Sequence, residues 1–167
     1  MENSRIMLKI IESIRQLNID QFFLVYGESI RENAERFSMS LRQAENAFLA
    51  YLEEDFFGQK DAFYAVWVAD DAYQCALRLE PFQDGLLLEA LETKPNARRK
   101  GYASALLNAT LEWLKSGDYK VVYSHISKRN KASLNTHIKC GFQVCADVAN
   151  YIDGTVTQNS FTLRYKL

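Results

Sequence analysis

The sequence predicts an α/β sandwich around a mixed sheet, and three observations predict it. Runs rich in aromatic and β-branched residues alternate with segments whose apolar positions recur at three and four, in the order β-α-α-β-β-β-α-β-α-β-β. The 167 residues are 48% hydrophobic, and a domain of that length buries roughly two-thirds of its unfolded surface without staples. No repeat, low-complexity tract or Pro/Gly/Ser linker interrupts the pattern, so 1–167 reads as a single domain.

Residues 5–14 are rich in Ile, Leu and Met and read as a first strand. Beyond Asn18 and Asp20, both capable N-caps, Phe22, Phe23, Tyr26 and Ile30 place a helix over 20–35. Ser40-Leu41-Arg42-Gln43 has capping-box form, and Leu41, Ala44, Phe48 and Leu52 share one face of a second helix. Phe63–Val68 and Tyr73–Leu79 form a hairpin, and the Asp84-Gly85 turn leads into a strand from Leu86 to Thr93 that Pro95 ends. Ala103, Leu106, Leu107, Thr110, Leu111 and Leu114 keep helical spacing, with Gly117 placed as a left-handed cap. Tyr119–Ile126 is a strand, Lys131–Cys140 a short helix stopped by Gly141, and Phe142–Ile152 a strand. Asp153-Gly154 closes a final hairpin whose second strand alternates Phe161, Leu163, Tyr165 and Leu167.

Twenty Lys and Arg against 21 Asp and Glu leave a net charge of −1, which supplies no broad cationic face for nucleic acid or anionic lipid. The first nine residues lack a basic segment followed by an apolar one, and no stretch approaches the roughly 18 apolar residues of a membrane span. Cys75, Cys140 and Cys145 form neither a CxxC pair nor an even framework and read as buried free thiols of a cytoplasmic protein. No metal-ligand cluster is spaced for binding.

The chemistry concentrates in Thr93-Lys94-Pro95-Asn96-Ala97-Arg98-Arg99-Lys100-Gly101-Tyr102-Ala103-Ser104, where a strand ends, a basic loop turns and a long helix starts. A helix start offers unpaired amide donors and a partial positive charge, and Gly101 and Ala103 leave room for close approach. The physics suits a diphosphate. Neither GxxxxGK(S/T) nor GxGxxG occurs, so the triphosphate-loop and dinucleotide readings lose their usual support.

The segment resembles the acyl-CoA signature of the GNAT N-acetyltransferase superfamily, Q/R-x-x-G-x-G/A, with Arg98, Gly101 and Ala103 at its fixed positions. Asn130 to Phe142 is similar to that family's N-x-x-(A/S)-x-x-x-(Y/H)-x-K-x-G-F segment, and the Thr93-x-Pro95 strand exit agrees. The resemblance covers nearly the whole chain. It implies a GNAT fold, a mixed, mostly antiparallel seven-stranded sheet flanked by four helices. It also implies acetyl-CoA as cosubstrate, no metal, and acetylation of a small-molecule or peptide amine in a ternary complex.

By the same resemblance the pyrophosphate lies over the amides of residues 99–104, contributed by Arg99, Lys100, Gly101, Tyr102, Ala103 and Ser104, with Arg98 at the motif's first position. Leu91, Glu92 and Thr93 hydrogen-bond the pantetheine through their backbone, and a splay between their strand and the next leaves a slot for the thioester. Asn130 contacts the pantetheine arm, and His137 stands where a tyrosine usually protonates the departing thiolate. Asn130, Ser133, Leu134 and His137 share one helix face by spacing alone, so they can meet one ligand. Terminal hairpins of this family often pair across a two-fold axis, which implies a homodimer.

Amide formation also needs a base, because a lysine-like amine with a pKa of about 10.4 arrives protonated. Glu89 has the parity of Leu91 and Thr93, on the face where the resemblance implies a base, whereas Glu92 points oppositely unless a bulge intervenes, so Glu89 is the favoured base, with pairing to Arg78 as its structural alternative. His125, with Tyr123 on its strand face, is placed to line the acceptor slot. The resemblance implies that the first two helices and the terminal hairpin select the acceptor; there lie Phe22, Tyr26, Phe48, Tyr51, Phe56 and Tyr151, most of them as core. The rival function is an acyl-CoA sensor or interaction module that binds the cofactor without turnover.

Overall fold

A computed structural model describes residues 6–167. Residues 1–5, which include the expected start of the first strand and most of the N-terminal segment read for a leader, lie outside the described residues.

The expected elements are present. β1 (Met7–Ile11) pairs with β2 (Phe63–Ala69), and β2, β3 (Ala72–Phe82) and β4 (Gly85–Thr93) form an antiparallel meander. Between β1 and β2 lie α1 (Ile19–Arg36) and α2 (Leu41–Tyr51). Asn18 caps α1 by accepting from the Gln21 amide, and Ser40 and Gln43 close the capping box on α2, worth about 1 kcal/mol. A single π turn, Leu52–Phe56, extends α2 and buries both of its end residues.

The chain then crosses through α3 (Tyr102–Lys115) to β5 (Val121–Ser127), which is parallel to β4 as a crossover connection requires. α4 (Lys131–Lys139) leads to β6 (Gln143–Ala146), and β9 (Ser160–Lys166) inserts between β5 and β6. The resulting seven-stranded sheet has the order β1-β2-β3-β4-β5-β9-β6. It is mostly antiparallel, with helices on both faces. Phe22, Val25 and Tyr26 of α1 pack on Tyr64, Val66 and Ala76 of one face, and Leu106, Leu107, Leu111 and Leu114 of α3 pack on Leu77, Leu79, Leu86 and Leu88 of the other. Each such fully buried side chain contributes about 1.5–3 kcal/mol of transfer free energy.

Three local expectations are corrected. Phe142–Ile152 is not one strand: the chain bends after β6, and β7 (Ala149–Asn150) and β8 (Val156–Thr157) make a separate two-stranded ribbon around Asp153-Gly154. That ribbon leaves Ile152 and Val156 exposed. Gly117 is not a left-handed cap. Its amide closes a tight last turn onto the Leu114 carbonyl at 3.0 Å, and the C-cap is Ser116, with φ −79°. Only Cys75 of the three thiols is buried; Cys140 is half-buried, and Cys145 is exposed on β6, the edge strand, which among the described residues has no partner on one side. No helix among the described residues is long and apolar enough to cross a membrane.

Candidate active site

The loop between β4 and α3 ends in a run of left-handed turns ahead of an uncapped helix start. Lys94 is tied back to β3 through its amide, which donates to the Gln74 carbonyl at 2.8 Å, and Pro95–Ala97 make one 3-10 turn. Arg99 and Gly101 then adopt left-handed conformations, with φ 63° and 81°. A Cβ on Gly101 would meet nothing within 4 Å, so glycine serves the backbone angle there and not the space around it. The first intrahelical bond of α3 runs from the Ala105 amide to the Gly101 carbonyl at 3.1 Å, and no side chain caps the helix start. The amides of Tyr102, Ala103 and Ser104 therefore have no helical partner, and left-handed turns ahead of such a start form anion-binding concavities. Arg99 and Lys100 are exposed beside it. Arg98 instead turns towards α1, where its Nη2 lies 2.6 Å from Glu28 Oε2 and its Nε donates to the Thr93 carbonyl at 3.3 Å. Both partners are about half exposed, so solvent screens the pair and it adds little to stability.

A β-bulge overturns the strand-parity argument for β4. Arg78 lies opposite Glu89 and Ala76 opposite Glu92, so Leu77 of β3 faces both Ala90 and Leu91. Ala90 takes φ 53°, a strained value for a residue with a Cβ, and the Tyr26 hydroxyl donates to its carbonyl at 2.7 Å. The extra residue puts Glu89 and Glu92 on the same face, towards α1 and α2. Leu91 packs on the α3 side, and Thr93 donates there to Cys75 Sγ at 3.3 Å. Glu89 is held by Arg78 Nε at 3.0 Å, the ion pair raised as its alternative role. Glu92 accepts from the Ser29 hydroxyl, and burial pushes its carboxyl above the usual range against the pull of that hydrogen bond.

β4 and β5 pair only from Leu86–Val122 to Leu88–Ser124 and then diverge. The expected splay opens there as a cavity of about 180 Å³, bounded by Glu89, Leu91, Ser124, His125, Asn130 and His137 among others. Asn130 is the N-cap of α4, its Oδ1 accepting from the Ser133 amide at 3.1 Å, so its amide nitrogen is what it has left for a ligand. His137 is 1% exposed, with Nδ1 2.8 Å from the Ser133 carbonyl and Nε2 3.1 Å from Ser124 Oγ. A carbonyl only accepts, so Nδ1 carries the ring proton and Nε2 accepts from the serine. The Phe142 ring packs edge-on at 5.1 Å.

Burial pulls the His137 pKa below its ordinary 6.5, opposed by the Ser133 hydrogen bond. A depressed histidine favours the folded state fully above the unfolded pKa, and that advantage falls away as acid protonates the unfolded chain first. The stability gap between wild type and His137→Gln is expected to be full above about pH 6.5 and to narrow as pH drops through 6. Thermal melts of both proteins across pH 5–8 measure it, and a gap constant with pH contradicts a buried neutral ring.

His125 faces the other side of the sheet, between the rings of Phe82 at 5.5 Å and Tyr151 at 5.1 Å. Neither ring nitrogen has a hydrogen-bond partner among the described residues, and burial lowers its pKa against the opposing charge of Glu89. Tyr123 does not reach the slot; its hydroxyl donates to Asp84 at 2.7 Å, at the far end of the strand. Reading the sequence also missed Ser124 and Ser29. Ser124 had a signal, a polar residue between Val122 and Ile126 on the inward face of β5, whereas Ser29 had none.

Among the described residues, no group of three His, Cys, Asp or Glu side chains is placed to hold a metal. No curated protein matches the sequence. Solved structures do. PaiA N-acetyltransferase from Thermoplasma acidophilum, in complex with coenzyme A, aligns with a TM-score of 0.59 at 16% identity over 96% of this chain and 99% of its own. A Bacillus subtilis acetyltransferase in complex with CoA aligns at 0.65 and 14% identity over 98% and 99%. The ribosomal-protein-S18-alanine N-acetyltransferase of Escherichia coli aligns at 0.62 and 15% over 96% and 94%. At such identities these likenesses establish the fold. The profile of the acetyltransferase (GNAT) family matches residues 11–142, and the chain belongs to that family.

Proposed function

We propose that this chain, as a single cytoplasmic domain, transfers the acetyl group of acetyl-CoA to a primary amine by direct attack in a ternary complex. One observation carries the reading. The splay between β4 and β5 lies between the unpartnered amides at the start of α3 and the buried Ser124–His137 pair.

In this reading the amides of residues 99–104 take the diphosphate, with Arg99 and Lys100 adding charge. The backbone of Leu91–Thr93 holds the pantetheine, aided by Asn130 and Ser133. The bulge breaks the ladder at Ala90 and Leu91, freeing backbone groups beside the slot to polarise the thioester carbonyl. His137 acts through Ser124: its neutral ring takes up at Nε2 a proton released during the reaction and relays it by way of the serine hydroxyl, which gives its own proton to the departing sulfur. His125 borders the slot from the acceptor side. Glu89, committed to Arg78, fixes the guanidinium there.

Calorimetric titration with acetyl-CoA, and with desulfo-CoA as a thiol-free control, tests the cofactor half. Micromolar binding is expected, and none at millimolar ligand removes the reading. Product formation with an amine panel separates the enzyme from a sensor. His137→Phe is expected to lower kcat by ~100-fold while acetyl-CoA affinity stays within about threefold. Equal turnover by mutant and wild type across the pH range removes His137 from the mechanism.

A further inference from the structure

A second and larger cavity, about 400 Å³, lies between α1, α2 and the sheet. It adjoins the thioester slot: Ala90 and Glu92 border both. Tyr26, Phe48, Tyr51 and Tyr64 form its aromatic walls. Two polar features stand out against them. Glu92 sits where the two cavities meet, with Oε1 held by Ser29 and Oε2 left for another partner. Tyr64 is 0% exposed, and its hydroxyl lies against the Arg78 guanidinium, so this wall of the cavity carries a polar group that is already engaged.

We infer that this cavity receives the acceptor, and that the acceptor is a small monoamine on an aromatic or similarly bulky apolar body, with its nitrogen held at Glu92. The inference rests on the acetyl-transfer reading and adds to it the substrate class and the base. The volume falls within the range of small-molecule sites, and ring faces attract both an apolar body and an incoming ammonium. A polyamine would bring a second charge towards Arg78, whose own positive charge already lies 5.6 Å over the Tyr51 ring. A peptide would bring backbone groups that the walls cannot satisfy.

Glu92, not Glu89, is then the base, because Glu89 is engaged by Arg78. Glu92 takes one proton from the ammonium, and the freed lone pair forms the C–N bond at the thioester carbonyl. On collapse the C–S electron pair goes to sulfur, which is protonated through Ser124. The nitrogen loses its second proton to solvent, which reloads His137, and Glu92 returns its proton to water. Ammonium and thioester thus give amide, thiol and one proton. Burial raises the pKa of Glu92, which makes it a stronger base than an exposed carboxylate.

The experiment compares 2-phenylethylamine, cyclohexylmethylamine, spermidine and a lysine peptide by thiol release and product mass. A kcat/KM at least ~100-fold higher for the two apolar amines is expected. Ala47→Trp, which narrows the cavity from the exposed side of α2, is expected to lower kcat/KM for 2-phenylethylamine by ~10-fold or more with acetyl-CoA affinity unchanged. Glu92→Gln is expected to lower kcat by ~100-fold with KM within about threefold. Preference for spermidine or the peptide overturns the proposed acceptor, as does failure of 2-phenylethylamine to bind protein saturated with acetyl-CoA. An Ala47→Trp protein with unchanged kinetics overturns the cavity, and a fully active Glu92→Gln protein overturns the base. Calorimetry with acetyl-CoA alone separates the levels: no binding means the acetyl-transfer reading itself has failed, whereas binding with a polyamine preference defeats only the acceptor assignment.

Discussion

Ala103→Glu is expected to abolish acetyl-CoA binding while leaving the protein folded. Ala103 sits in the first turn of α3, among the amides that have no helical partner. A carboxylate there claims the donors and sets a negative charge against a diphosphate. The helix itself tolerates the change, since an acidic residue in the first turn is favoured by the macrodipole by about 0.3–1 kcal/mol. A loss of at least ~100-fold in affinity, about 2.7 kcal/mol, is expected by calorimetry, with a melting temperature close to wild type. A folded Ala103→Glu protein that binds acetyl-CoA normally defeats the loop assignment.

Gly85→Ala is expected to fail in the opposite way, through stability. Gly85 opens β4 directly against the start of β5, and a Cβ on it would overlap the Val121 carbonyl oxygen and lie 2.6 Å from Val121 Cγ1. Backbone cannot rotate aside as a flexible side chain can, so one strand must shift, at a cost of about 3 kcal/mol. For a domain of this size that lowers Tm by about 6–12 °C. The displaced strands are the two that splay to make the slot, so acetyl-CoA binding weakens together with Tm. A melting temperature within about 2 °C of wild type contradicts this account.

The contrast between these positions explains what could be read without coordinates. Asp84-Gly85 was legible as a turn, but the glycine is required by the approach of a strand 36 residues later, which no local pattern encodes. The helices were legible because their apolar spacing and caps are local, as at Ser40 and Asn18. The loop between β4 and α3 was legible as a structure because a strand exit, a glycine and a helix start lie within one continuous stretch. The acceptor side was not. Its face depends on the Ala90 bulge, and one inserted residue reverses every side-chain direction after it. Counting alternation therefore put Glu89 on the face of Leu91 and Thr93, whereas the bulge sets it on the face of Glu92. The final hairpin misled for a similar reason, because the bend after β6 hands pairing from the main sheet to a separate ribbon.

Tyr26, Glu28 and Ser29 lie within one turn of α1, and each grips a different part of the site: the Ala90 carbonyl, Arg98 and Glu92. Whatever fills the cavity beneath that turn presses on the same residues that hold the loop between β4 and α3. Two ligands acting on one shared element are thermodynamically linked, and the linkage runs equally in both directions. The factor by which acetyl-CoA alters the affinity for the amine must equal the factor by which the amine alters the affinity for acetyl-CoA. That single turn makes the order of substrate addition a property of α1 as much as of the slot between the strands.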